Sequence, residues 1–224
     1  MTAPRIVLLH GTPVAIDPVL AAFAQDWPEA NVVNLLDDAL SPDLVRDGSL
    51  TEEMIERFVA LALYSHRIGA DGVLVTCSAF GQAIERAAAV LPIPVLKPNE
   101  AMFEAALTQG NRIGMLATFP PAVGTMEDEF AEESARLRPT AVITTYLVPQ
   151  AMDLLRKGDA DSHNRLVAEA VPQLGDVDAV MLAHFSTSRA ASLVRDRISV
   201  PVLTSPGSAV AKMKRLLTGA QAAA

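Results

Sequence analysis

An α/β fold of two similar parallel-sheet lobes is what this sequence predicts, on two observations. Apolar runs of strand length alternate with longer helical patterns, and the pattern recurs at a fixed offset of 107 residues. The runs lie at 5–9, 32–36, 72–76 and 94–96, then at 112–116, 141–145, 179–183 and 201–203. They are continuously apolar and not alternating, as suits parallel strands covered on both faces. Helical patterns fill the intervals, at about 16–26, 51–69, 80–91, 99–109, 120–136, 161–174, 187–196 and 206–218. Such alternation predicts a doubly wound sheet.

The offset pairs Arg5 with Arg112, Ile6 with Ile113, Leu9 with Leu116 and Pro13 with Pro120. It also pairs Asp71 with Asp178, Val73 with Val180, Ala83 with Ala190, and Pro94-Val95-Leu96 with Pro201-Val202-Leu203. One ungapped register through the first, third and fourth strands predicts two pseudo-symmetric lobes, 1–97 with 206–224 and 98–205. Ordinary α/β regularity is the competing explanation, since element lengths are similar in all such folds. Two tightly joined lobes place the expected ligand site in an interlobe cleft. The last helix is expected to return to the first lobe, and Gly219 and the Ala-rich end to fray.

The chain has 224 residues, half of them hydrophobic, and a formal net charge of −8. That size is ample for a buried core. The acidic balance argues against nucleic acid and anionic membranes as partners, because phosphate recognition needs a basic surface. The single cysteine excludes an internal disulfide and fits a reducing compartment. No apolar run reaches spanning length, and the one after Arg5 is too short for a signal-peptide core, so a soluble cytoplasmic protein is expected.

In open parallel sheets, ligands bind beyond the carboxyl ends of the strands. Those ends read His10-Gly11-Thr12-Pro13, Thr76-Cys77-Ser78 and Lys97-Pro98-Asn99 in the first half. In the second half they read Ala117-Thr118-Phe119, Ala183-His184-Phe185-Ser186 and Thr204-Ser205-Pro206. Ser78, Asn99, Thr118, Ser186 and Ser205 suit helix N-caps, which explains them without any ligand. Several helix N-termini around one cleft would also receive a carboxylate.

A lone cysteine is often only a small buried hydrophobe. Cys77, however, falls where a strand turns into a helix, a setting expected to favour the thiolate. Adding the offset to 77 gives His184, so thiol and imidazole are expected to face one another and share acid and base duties, against the plainer reading of His184 as a capping or core residue. His10 could line the same cleft, whereas His66 and His163 fall within helical patterns and suit surface or packing roles. The histidines and the cysteine lack zinc-ligand spacing, so no metal is expected.

At Thr76-Cys77-Ser78-Ala79-Phe80, Leu116-Ala117-Thr118 and Leu182-Ala183-His184 the sequence resembles the aspartate/glutamate racemase superfamily. That group includes glutamate, aspartate and hydantoin racemases, maleate isomerase and arylmalonate decarboxylase. Each motif alone is weak; together, in the correct halves, they are fairly specific. The resemblance implies a cofactor-independent enzyme acting on a small carboxylate, commonly as a homodimer or higher assembly. Racemases of the group use one cysteine from each half. Cys77 matches the first and His184 stands where the second is expected, so symmetric two-thiol racemisation does not carry over directly. The resemblance further implies contacts to the substrate carboxylates from Thr76, Ser78 and Thr118, and more loosely Thr12. In the mechanism this suggests, Cys77 takes a proton or attacks carbon, and His184 as imidazolium supplies a proton from the opposite side. Racemisation, cis–trans isomerisation and decarboxylation remain open, as does a carboxylate-binding protein without catalysis. A flavodoxin-like nucleotide binder fits poorly, because His10-Gly11-Thr12-Pro13 holds one glycine and Pro13 lacks an N–H.

Overall fold

The computed structural model describes residues 3–219. The chain divides into two compact units: one runs to Pro98 and resumes at Ala209, and the other spans Asn99–Ser208. The Ala-rich end beyond residue 219 lies outside the described residues.

The first unit contains β1 (Arg5–His10), α1 (Ile16–Asp26), β2 (Asn31–Leu36), α2 (Leu40–Asp47), α3 (Glu52–Arg67), β3 (Gly72–Val75), α4 (Gly81–Val90) and β4 (Val95–Leu96). The second contains α5 (Glu100–Gln109), β5 (Arg112–Ala117), α6 (Val123–Leu137), β6 (Val142–Leu147), α7 (Ala151–Arg156), α8 (Ala160–Glu169), β7 (Ala179–Leu182), α9 (His184–Thr187), α10 (Ala191–Arg195) and β8 (Val202–Thr204). Helix α11 (Ser205–Thr218) starts in the second unit and continues in the first. The sheets are parallel, ordered β2-β1-β3-β4 and β6-β5-β7-β8, so the chain is an α/β protein with flanking helices.

Both faces of each central strand are buried, which is why these strands read as unbroken apolar runs. In β5 and β7, Ile113, Met115, Ala179 and Met181 pack with Met102, Phe103 and Phe130 of α5 and α6. The alternate residues Leu116, Val180 and Leu182 pack with Val167, Leu174 and Val194 on the other side. In the first unit, Leu9, Val73 and Val75 meet Phe58 of α3 and Ile84 of α4.

The repeat is visible in the backbone. Ile6 pairs with Gly72 and Ile113 with Ala179, each partner displaced by 107. Asp71 accepts the Arg5 N–H at 2.7 Å, and Asp178 accepts the Arg112 N–H at 2.9 Å. The Arg112 guanidinium and two backbone N–H groups hold the Asp178 carboxyl down, at about 2. Gly110 has no side chain because a Cβ there would collide with Asp178 in this clamp. The register slips at the second strand, where Arg5 pairs with Asn31 but Arg112 with Val142. That displacement is 111, four residues more than elsewhere, and it explains why the second strands do not align at the common offset.

Residues 37–49 break the apolar periodicity because they hold a short helix, α2, with polar faces and only Leu40 buried. Gly48, at φ 69°, ends it in the left-handed conformation that glycine adopts without strain. The segment is tied down at both ends. Arg57 of α3 donates to both Asp37 oxygens at 2.7 and 2.5 Å and to Asp43 at 2.7 Å. Ser41 donates to the Gly11 carbonyl at 2.6 Å.

Helix α3 starts at Thr51, whose hydroxyl accepts the Met54 N–H at 3.3 Å. Glu52 and Glu53 occupy its first turn and His66 and Arg67 its last, matching the helix dipole. Removing the cap by Thr51→Ala is expected to cost about 1 kcal/mol in urea unfolding, without effect on ligand binding.

Candidate functional site

In the first unit, three polar residues cluster at the carboxyl ends of β1 and β3. His10 is fully buried at the end of β1. Its Nδ1 lies 2.8 Å from Thr76 Oγ1 and its Nε2 2.9 Å from Asn34 Oδ1. Both ring nitrogens are thus engaged within the protein. Burial lowers the imidazole pKa, with the Asn34 hydrogen bond acting in the opposite sense.

Thr76 follows β3 and leads directly into Cys77. Cys77 has extended backbone, φ −130°, and caps a single 3₁₀ turn, Ser78–Phe80, that runs into α4. The thiol is half-buried. Burial pushes its pKa up, and the Ala79 N–H pulling it down is the smaller effect. The expected thiolate is therefore a resting thiol: one 3₁₀ turn offers little dipole, and desolvation wins. Ser78 and Thr12 are half-buried, and neither the turn at Ser78 nor the 3₁₀ turn that Thr12 precedes receives a side-chain cap. Phe80 stacks on Phe58 with centroids 5.5 Å apart, so it belongs to the core.

In the second unit, His184 follows β7 at the position equivalent to Cys77, but its backbone differs. Its φ is 67°, in the left-handed region. Histidine is one of the residues found there more often than most, though still at a cost in strain. The imidazole meets Phe119 edge to face, centroids 6.4 Å apart, and the Arg156 guanidinium lies 5.8 Å over the Phe119 ring. His184 Nε2 is buried without a hydrogen-bond partner. Burial lowers the imidazole pKa to about 4, so His184 rests neutral at pH 7. The expected imidazolium is corrected accordingly.

Thr118 is buried, and its hydroxyl lies 3.2 Å from that of Thr187, a residue that the sequence pattern did not single out. The expected caps are redistributed. Thr204, not Ser205, accepts the Gly207 N–H of α11, at 3.1 Å. Ser205 instead donates to Asn99 Oδ1 at 3.0 Å, and Asn99 Nδ2 donates to Glu129 at 3.1 Å. Ser186 sits inside α9, and Phe119, not Thr118, precedes the following 3₁₀ turn. His66 is exposed, whereas His163 is fully buried with its Nδ1 on Asn164. Among the described residues, no group of three or more His, Cys, Asp or Glu is placed to hold a metal ion, and no helix is long and apolar enough to cross a membrane.

The His184 imidazole links pH to stability. Its folded pKa lies below the unfolded value of about 6.5, so the unfolded chain binds the extra proton first and stability falls as pH drops from 6.5 towards 4. Between pH 7 and pH 5 this site is expected to cost about 2 kcal/mol. Urea unfolding of wild type and His184→Asn at both pH values isolates it, because the other buried histidines are common to the two proteins. Parallel losses in both would remove His184 from the account.

Among solved structures, the chain is similar in fold to a glutamate racemase isoform from Bacillus anthracis. Identity is 17% over 98% of this chain and 83% of that one, with TM-score 0.71. It is similar to an aspartate racemase from Picrophilus torridus at 16% identity, over 96% and 95% of the two chains, with TM-score 0.70. A mutant of arylmalonate decarboxylase is similar at 19% identity, over 97% and 95%, with TM-score 0.71. No curated protein sequence matches the chain. The family model for Asp/Glu/Hydantoin racemase matches residues 15–174, more than half of the length, and the chain belongs to that family.

Proposed function

We propose that the protein is a cofactor-independent racemase or isomerase of a small carboxylate, with Cys77 and His184 dividing the proton transfers. What supports the reading is that a thiol and an imidazole stand at equivalent strand ends, one in each unit, both held in their neutral forms. Neutral His184, with an unengaged Nε2, is the base that removes a proton from the carbon beside the carboxylate. The protonated Cys77 thiol is the acid that returns one. The roles suggested by sequence are thereby exchanged: at pH 7 the imidazole is in the form that accepts a proton and the thiol in the form that donates one.

The Ser78 and Thr118 hydroxyls would hold the carboxylate and the enolate-like charge. Preorganised donors of this kind are worth roughly 3 kcal/mol each in a barrier. Decarboxylation is the second reading. It yields the same type of carbanion and needs only a proton donor, a role that a protonated thiol fills alone.

Deuterium incorporation tests the proposal. The protein would be incubated in deuterated water with amino acids, hydroxy acids, maleate and arylmalonates, and the substrate carbons followed by NMR. Exchange at the carbon beside the carboxylate is expected for at least one class. Release of carbon dioxide without inversion or exchange would favour the second reading. Binding detected by calorimetry without any exchange would overturn both in favour of a carboxylate-binding protein.

A further inference from the structure

Thr76 adjoins Cys77, and its hydroxyl is not free to point where a ligand wants it. His10 Nε2 faces the amide oxygen of Asn34, at 2.9 Å. That oxygen only accepts, so Nε2 carries the hydrogen. A neutral imidazole then has a bare Nδ1, and the group 2.8 Å away from it, Thr76 Oγ1, must donate its proton there. The chain of bonds has one consistent direction: Thr76 O–H to His10 Nδ1, then His10 Nε2–H to Asn34 Oδ1. His10 is fully buried and its bond to Thr76 lies in the core, whereas the bond to Asn34 is partly buried. Asn34 lies on β2, which pairs along the length of β1, and Leu8 is its partner there. The two strands therefore fix the relay's spacing.

We propose that Asn34 and His10 are positioning residues that make the Thr76 hydroxyl a hydrogen-bond acceptor towards the ligand. The ligand group meeting Thr76 is then an N–H or O–H donor, not a carboxylate oxygen. This rests on the proposed function for the identity of the site, but not for the relay itself. It reverses the contact that the family resemblance implied for Thr76, and leaves carboxylate binding to Ser78 and Thr118. Discrimination of this sort is strong, because a buried acceptor facing a ligand oxygen is left unpaired and repelled.

Two measurements test it. Long-range proton–nitrogen NMR on the ¹⁵N-labelled wild-type protein, with His10 assigned by its loss in His10→Asn, reads the tautomer directly. A single Nε2–H tautomer with a slowly exchanging proton is expected. A proton on Nδ1, or averaging between tautomers, would overturn the relay whatever the enzyme does. The second measurement uses any substrate that exchanges deuterium. His10→Asn sets an amide oxygen near the Nδ1 position and can still accept from Thr76, whereas His10→Gln reaches towards Asn34 and cannot. His10→Asn is expected to keep KM within about twofold, and His10→Gln and Asn34→Leu to raise it by roughly fivefold to tenfold, the effect of one hydrogen bond. Little change in kcat is expected. Equal effects of His10→Asn and His10→Gln would mean that His10 merely fills space. Asn34 is exposed on an edge strand, so Asn34→Leu keeps the test open should the His10 variants fail to fold. Absence of exchange in the wild type would count against the proposed function alone, since the tautomer is still read.

Discussion

Cys77→Ser is expected to lower deuterium exchange and turnover by roughly 10³-fold with KM little altered, the size of effect associated with losing a positioned acid or base. The replacement is nearly isosteric, and the side chain is half-buried and already receives the Ala79 N–H, a bond that a serine oxygen can accept equally. The fold therefore has no reason to change, and the melting temperature should stay within a few degrees. A hydroxyl is a far weaker acid than even a desolvated thiol, so the protonation step loses its donor. The pH profile sharpens the assignment. If the thiol acts as acid, wild-type activity persists at neutral pH and declines in the alkaline range as the raised thiol pKa is passed. Activity that instead appears only above that pKa would make Cys77 a base or a nucleophile. Turnover of Cys77→Ser within tenfold of wild type would remove Cys77 from the proton transfers.

The alternation of apolar runs and helices was legible because parallel strands buried on both faces cannot be anything but apolar. The offset of 107 was legible at Arg5/Arg112 and Asp71/Asp178 because these pairs make the same backbone clamp at the start of each sheet. Helices α2, α7 and α9 were not legible, since they have eight, six and four residues, too few for a 3.6-residue period to declare itself. The positions of Cys77 and His184 could be read from strand ends. Their protonation states could not, because these depend on desolvation by residues distant in sequence: the core packing of unit one around Cys77, and Phe119 against His184. Asn34 was hidden for the same reason. It looks like an ordinary polar residue of an edge strand, and only the pairing of β2 with β1 brings it to His10.

The same limit governs His184, where sequence equivalence with Cys77 conceals a different backbone. At ordinary helix positions glycine is less stable than alanine by about 1 kcal/mol. At φ 67° the order is expected to invert, because an L-residue pays roughly 1–2 kcal/mol for the left-handed conformation and glycine does not. Both His184→Gly and His184→Ala remove the proposed base, so both are expected to lose about 10²- to 10⁴-fold in exchange. They leave the same absence of an imidazole, and glycine leaves the slightly larger void. In urea unfolding at pH 7, His184→Gly should nonetheless exceed His184→Ala by about 1 kcal/mol. Strain that is retained at a residue with a buried, unpartnered nitrogen gains no hydrogen bond from that nitrogen, only the edge contact with Phe119. Its return is expected in chemistry, as positions held in sparsely populated conformations cluster at active sites. If glycine is the less stable variant, the backbone at His184 is not strained in solution. If glycine is the more stable and turnover survives, the strain is real but the imidazole is not the base, and the proton must leave the substrate by another group.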